Sequence, residues 1–142
     1  MKKCLVIISV MCVALLAGCG GTKVLECSYE KTSLGIKVKQ DVEVKFVSDK
    51  IEEIKQVYKI VLPDTYKSAV NSLLSTYKKQ YENLYKGSTV TTEKVSDTEI
   101  RVNVNTDYKS MTESEKKSSG FYGSEKYDVN RESLESKGYT CK

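Results

Sequence analysis

Histidine and tryptophan are both missing from this 142-residue chain, and it has a single proline and two phenylalanines. Without histidine there is no Ser-His-Asp or Cys-His relay and no imidazole to ligate a metal. Neither a phosphate-binding loop nor a dinucleotide-binding glycine pattern occurs, and there is no internal repeat or low-complexity tract. An excess of one charge is lacking too. The 23 basic and 19 acidic residues leave a net charge of +4 and are interspersed, as where Glu52 and Glu53 stand between Lys50 and Lys55. This excludes the basic stripe that a nucleic-acid binder needs and gives little pull towards anionic headgroups. Carboxylates do pair: Glu52 with Glu53, Asp41 with Glu43, Glu113 with Glu115. Asp41 and Glu43 share one strand face, where such a pair could hold a hard cation or pass a proton. A solvated face with neighbouring lysines explains them as well and is preferred. No catalytic residue, metal or cofactor is assigned, and the chain is not expected to be an enzyme.

One long apolar run is present. Cys4 to Leu16 is interrupted only by Ser9 and follows Met1-Lys2-Lys3. A bilayer-spanning helix needs roughly 20 apolar residues, so the run is too short to cross. A basic start, an apolar middle and small residues at the end make a secretory signal. The run closes on Leu16-Ala17-Gly18-Cys19, which resembles the lipobox of bacterial lipoproteins. The resemblance implies cleavage between Gly18 and Cys19, a diacylglyceryl thioether on the Cys19 sulfur, and fatty acyl chains such as palmitate. The expected organisation is a signal peptide over residues 1–18, a tether over 19–23 and one domain over 24–142. The expected location is the extracytoplasmic face of a cell membrane, with the membrane itself as a partner through the lipid. An ordinary secreted protein with a chance cysteine, and an uncleaved apolar anchor, are the alternatives. Gly20 follows Cys19 without an Asp retention signal; that favours the outer membrane in a two-membrane cell and leaves only the outer leaflet in a one-membrane cell. The lysine- and tyrosine-rich composition favours the second.

Five cysteines are present. Cys4 and Cys12 leave with the signal and Cys19 is consumed by lipid, so Cys27 and Cys141 remain, one at each end of the domain. Outside the cytoplasm such a pair can oxidise and stay oxidised, and a Cys27–Cys141 disulfide is expected. Two free thiols are the alternative. Metal binding is disfavoured, since neither cysteine has a nearby cysteine or histidine to complete a site.

The pattern predicts an α+β domain: an antiparallel sheet, built from a three-strand meander and a second hairpin, packed on one long amphipathic helix, with a short C-terminal helix. Val24 to Glu30 is the first strand, and Ser33 to Gly35 a turn. Ile36, Val38, Val42, Val44 and Phe46 alternate with charged residues, leaving Gln40 as the polar member of the apolar face. The third strand, Ile51 to Leu62, changes parity, which predicts a bulge near Glu53 or Lys55. Pro63-Asp64 opens the long helix with Asp64 as N-cap. Tyr66, Ala69, Val70, Leu73, Leu74, Tyr77, Tyr81, Leu84 and Tyr85 follow helical spacing, and Gly87 ends it. Ser88 to Val95 and Glu99 to Asn105 form the second hairpin. Thr112 to Glu115 is a capping box, and a last helix covers Asn130 to Lys137. Pattern leaves open whether the two hairpins share one sheet.

Ten tyrosines are the compositional surplus. Tyr77, Tyr81 and Tyr85 lie on the helix's apolar stripe, and a tyrosine-lined face could hold a peptide or a sugar. The same residues could simply cap the rim of a small core. Phe121 and Tyr122, on a glycine-flanked loop, are a second candidate contact, equally explained by docking onto the domain.

The lipobox, Cys27-Ser28-Tyr29-Glu30, the extended hairpin, the single long helix, the second hairpin and the closing Gly138-Tyr139-Thr140-Cys141-Lys142 together resemble the YehR-like lipoprotein family. That resemblance implies a small α+β lipoprotein and supplies no catalytic motif. The expected role is a non-catalytic interaction or accessory module of the cell envelope, with another envelope protein as partner. The alternative is a small-molecule or peptide binder that uses the tyrosine-lined face.

Overall fold

A computed structural model describes residues 21–121 and 126–142. Its centre is a six-stranded antiparallel sheet. The strands are β1 (Thr22–Ser33), β2 (Ile36–Val47), β3 (Lys50–Val61), β4 (Thr89–Lys94), β5 (Glu99–Asp107) and β6 (Thr140–Cys141). Their order across the sheet is β4-β5-β3-β2-β1-β6. Both hairpins therefore belong to one sheet, with β5 beside β3. β1 begins two residues before the expected Val24, because Thr22 and Lys23 pair with Val47 and Phe46.

Two tight turns set the register of the meander. Leu34 and Gly35 join β1 to β2, and Ser48 and Asp49 join β2 to β3, all four with positive φ. Paired left-handed residues match the natural twist of a hairpin. The parity change in β3 also has a definite location. Lys45 faces Glu53 while Phe46 faces Ile51, so Glu52 is the extra residue. The bulge thus falls one residue before the nearer expected position. It puts Ile51 and Ile54 on the same buried face, and Val57 belongs to the other face.

The long helical segment starts as a 3-10 turn, Asp64–Ala69, and continues as α1 (Val70–Leu84). Asp64 does not cap it: no side-chain cap bond forms, and Asp64 instead pairs with Lys67 at 3.1 Å. Pro63 precedes the first turn, and its missing N–H and fixed φ suit a helix entry. α1 packs over β4 and β5. The turn leaving it needs Gly87, whose φ is +81° and where a Cβ would lie 2.8 Å from Glu115. A 3-10 turn at Tyr108–Ser110, α2 (Glu113–Ser118) and α3 (Tyr127–Ser136) follow β5. Thr112 and Glu115 form the expected capping box of α2. α3 starts three residues earlier than expected.

The helical face of the sheet carries two apolar clusters. Leu25, Cys27, Val42, Val44, Phe46, Ile51 and Ile54 pack with Tyr108, Met111, Phe121 and Leu134. Ile60, Leu62, Val70, Val90, Ile100, Val102 and Val104 pack around Tyr58 beneath α1. Cys27 and Cys141 face each other across β1 and β6 and are joined in a disulfide. Closing a loop of 114 residues would remove about 4–5 kcal/mol of unfolded-chain entropy. No helix among the described residues is long and apolar enough to cross a membrane.

Candidate functional site

The two apolar clusters meet at a band of polar side chains. Register places Tyr29, Gln40, Tyr58 and Val102 in one row across β1, β2, β3 and β5. Gln56, two residues before Tyr58, projects from the same face of β3. Gln40 Nε2 donates to Gln56 Oε1 at 2.9 Å and to the Tyr58 hydroxyl at 2.8 Å. The Tyr58 hydroxyl donates to Gln56 Oε1 at 3.0 Å and shares a hydrogen bond with the Tyr85 hydroxyl. Tyr139, just past α3, donates to Gln40 Oε1 at 2.6 Å. Strands, helix and C-terminal segment are thus joined through five side chains. Burying such groups is costly unless they are paired, which explains why a sheet with an otherwise apolar face keeps Gln40 and Gln56 together.

Aromatic rings surround the network. The Tyr58 and Tyr81 rings lie edge to face with centroids 4.6 Å apart. Tyr77 to Tyr81 is 6.5 Å and Tyr81 to Tyr85 is 6.2 Å, so the helix presents a ladder of three rings. Tyr29 and Tyr139 pack at 5.2 Å on the opposite side. Burial pushes the pKa of the Tyr58 hydroxyl above the ordinary tyrosine value, with the neighbouring Tyr85 adding to the shift. Burial likewise raises Tyr81, Tyr85, Tyr77 and Tyr139. All five hydroxyls stay neutral well into alkaline solution.

This arrangement brings Tyr77, Tyr81 and Tyr85 to one place, as their helical spacing suggests. It separates them from Phe121, which is buried in the other cluster and whose carbonyl accepts from the Tyr108 hydroxyl at 3.3 Å. Phe121 is therefore a core residue and not an exposed contact. Tyr122 and Cys19 lie outside the described residues. Tyr58, Gln56 and Tyr139 were not among the expected contacts. The parity of β3 was the signal for the first two; for Tyr139 it was proximity to the cysteine that returns the chain to β1.

The opposite face of the sheet is wet and charged. Asp41 lies 3.3 Å from Lys39 and 3.5 Å from Lys59, and Glu43 is 3.5 Å from Lys55. A shallow hollow of about 360 Å³ opens there. Both of its central carboxylates are engaged by lysines. Among the described residues no group of three or more His, Cys, Asp or Glu side chains could hold a metal ion.

The fold and this site define a small α+β domain with one face of its sheet half-covered and tyrosine-rich. No family model matches the chain, and neither does any curated protein. Among solved structures, it is similar to a protein from Streptococcus pneumoniae TIGR4 determined by NMR. The TM-score is 0.54 at 12% sequence identity, covering 100% of this chain and 94% of that one. At that identity the likeness concerns the fold alone.

Proposed function

We propose that the chain is a lipid-anchored extracytoplasmic protein of the YehR-like kind, whose domain serves as a non-catalytic interaction module of the cell envelope. The observation that carries this reading is the Cys27–Cys141 pairing across β1 and β6, taken with the lipobox-like Leu16-Ala17-Gly18-Cys19. A disulfide that ties the last strand to the first belongs in an oxidising compartment, and the tetrapeptide supplies the route there. Two or more acyl chains on Cys19 would hold the domain firmly at the membrane surface. Cys19→Ala is expected to move the protein from the membrane to the soluble fraction or to block its processing. Membrane fractionation with intact-mass measurement checks this. A variant with unchanged partition and an unchanged mass, apart from the substitution, would refute the anchor.

A second reading, ligand binding at the tyrosine-lined face, is favoured by the half-buried ladder of Tyr77, Tyr81 and Tyr85 beside a polar network. The two readings differ in occupant, a protein or a small molecule, and share the absence of chemistry on it.

A further inference from the structure

Strand parity places Ile36, Val38 and Gln40 on the same face of β2 as Val42, Val44 and Phe46. The last three are buried, at 3%, 0% and 1% exposure. The first three are only half-buried. The covering elements explain the difference. Tyr108, Met111, Phe121 and Leu134 pack over Val42 to Phe46, and α1 lies over β4 and β5. The strip towards the β1–β2 turn is covered only in part, with Ile36 and Val38 packed at the edge of the cluster beneath α1. Its sides are the ladder of Tyr77, Tyr81 and Tyr85 and the Tyr29–Tyr139 pair. Its inner end is the hydrogen-bonded set of Gln40, Gln56 and Tyr58.

We infer that this strip is a binding site for a neutral oligosaccharide, an inference that rests on the second reading above. Three observations favour a sugar. Flat rings in succession suit the apolar faces of pyranose units. Hydrogen-bonding capacity is left over beside the rings: among the described residues the Tyr81 hydroxyl and the Gln56 Nε2 make no hydrogen bond within the protein, and neither atom is sealed off from solvent. Hydroxyls and amides both donate and accept, or do so as a pair, which matches sugar hydroxyls. Finally, no charged side chain takes part in the network, so nothing there recognises a carboxylate, a phosphate or an amine. Lys31, on the same strand face as Tyr29, reaches only the exposed rim. A proline-rich peptide can also lie along aromatic rings and offers carbonyl acceptors to the Gln56 amide and the Tyr81 hydroxyl, but it has no donor to give back to the Tyr81 oxygen, which a sugar hydroxyl has.

With no tryptophan in the chain, emission comes from its ten tyrosines, of which Tyr29, Tyr58, Tyr77, Tyr81, Tyr85 and Tyr139 line the strip. The full chain in detergent would be titrated with chitohexaose, maltohexaose and cellohexaose, and in parallel with hexaproline. Saturable binding of at least one hexasaccharide is expected. Tyr81→Phe keeps the ring and removes a hydroxyl without a protein partner, so its melting temperature should match the parent while affinity falls about three- to tenfold. Tyr77→Ala should weaken binding by removing a rung, and Tyr66→Phe should leave it unchanged. Hexaproline binding without sugar binding would overturn the oligosaccharide assignment and keep the ligand-binding reading. Binding of neither probe would overturn both, and sugar binding insensitive to Tyr81→Phe and Tyr77→Ala would overturn the site.

Discussion

Tyr58 is the residue at which the two halves of the interior are joined. Its ring is part of the cluster under α1, and its hydroxyl touches Gln40, Gln56 and Tyr85. Replacing it by phenylalanine keeps the ring but takes one hydrogen bond from each of Gln40, Gln56 and Tyr85; the two glutamines keep theirs to each other, and the Tyr85 hydroxyl is left without one. Leaving buried donors and acceptors unmade costs about 1–3 kcal/mol. Tyr58→Phe is therefore expected to lower the unfolding free energy by that amount, measured by urea denaturation. A loss below about 0.5 kcal/mol would mean that the network is solvated and contributes nothing net. The sequence exposes one member of this set, Gln40, because it breaks an otherwise apolar alternation. Its partners come from β3, from the end of α1 and from the segment after α3. Helical spacing exposes Tyr85 as well, but periodicity along one element carries no information about which others converge on it, so the joining of these residues into one network was not legible.

At the scale of elements, β2 shows how far alternation reaches and β3 shows where it stops. The apolar face of β2 is evident from its residues and is the buried face in the structure. In β3, a bulge is evident from the parity switch between Ile51 and Ile54, but its position is not. Glu52, Glu53 and Lys55 are all charged, and charge does not mark which residue is extra. The register does: Glu52 has no opposite number on β2. Deleting Glu52 should give a regular ladder with Ile51 and Ile54 still inward, so the protein should fold with a loss of less than about 1.5 kcal/mol. The ion pairs of Glu52 with Lys45 and Lys109 would go, but pairs this exposed contribute little. Deleting Lys55 instead turns Ile51 and Ile54 outward and should abolish folding. Circular dichroism and thermal melts of the two deletions check this; equal behaviour would refute the assigned bulge. Helix entry was misread for a comparable reason. Asp64 is a good cap by type, but the chain enters through a 3-10 turn in which its carboxylate turns to Lys67. Likewise, a glycine-flanked aromatic loop does not reveal whether its ring docks, and Phe121 does.

At the scale of the molecule, tyrosine burial couples stability to alkaline pH. Tyr58, Tyr77, Tyr81, Tyr85 and Tyr139 all hold their protons more tightly in the folded state than an exposed tyrosine near pH 10. A raised folded-state value means that the native state favours the neutral form. The resulting stability is complete below about pH 10 and is lost as pH rises through the folded-state values. Tyrosinate absorbance in the native protein should therefore account for only part of the ten tyrosines around pH 10. The remainder should appear together with loss of ellipticity at higher pH. A single reversible titration of all ten, with structure intact, would contradict the burial described. The fold class itself was legible, since hairpin, helix and hairpin each carry strong periodicity. The merging of both hairpins into one sheet was not, because strand pattern does not specify lateral neighbours.

The length of β1 has a geometric consequence. The strand starts at Thr22 and runs for 12 residues to Ser33, about 40 Å at 3.3 Å per residue. It is the first element among the described residues, and Tyr29 lies seven residues along it, about 23 Å from its start. For a protein held at residue 19, this strand is a built-in stalk. It places the tyrosine-rich strip and the Leu34 tip at the end of the domain remote from the point of attachment. What the domain grips would then be met above the lipid surface and not within it.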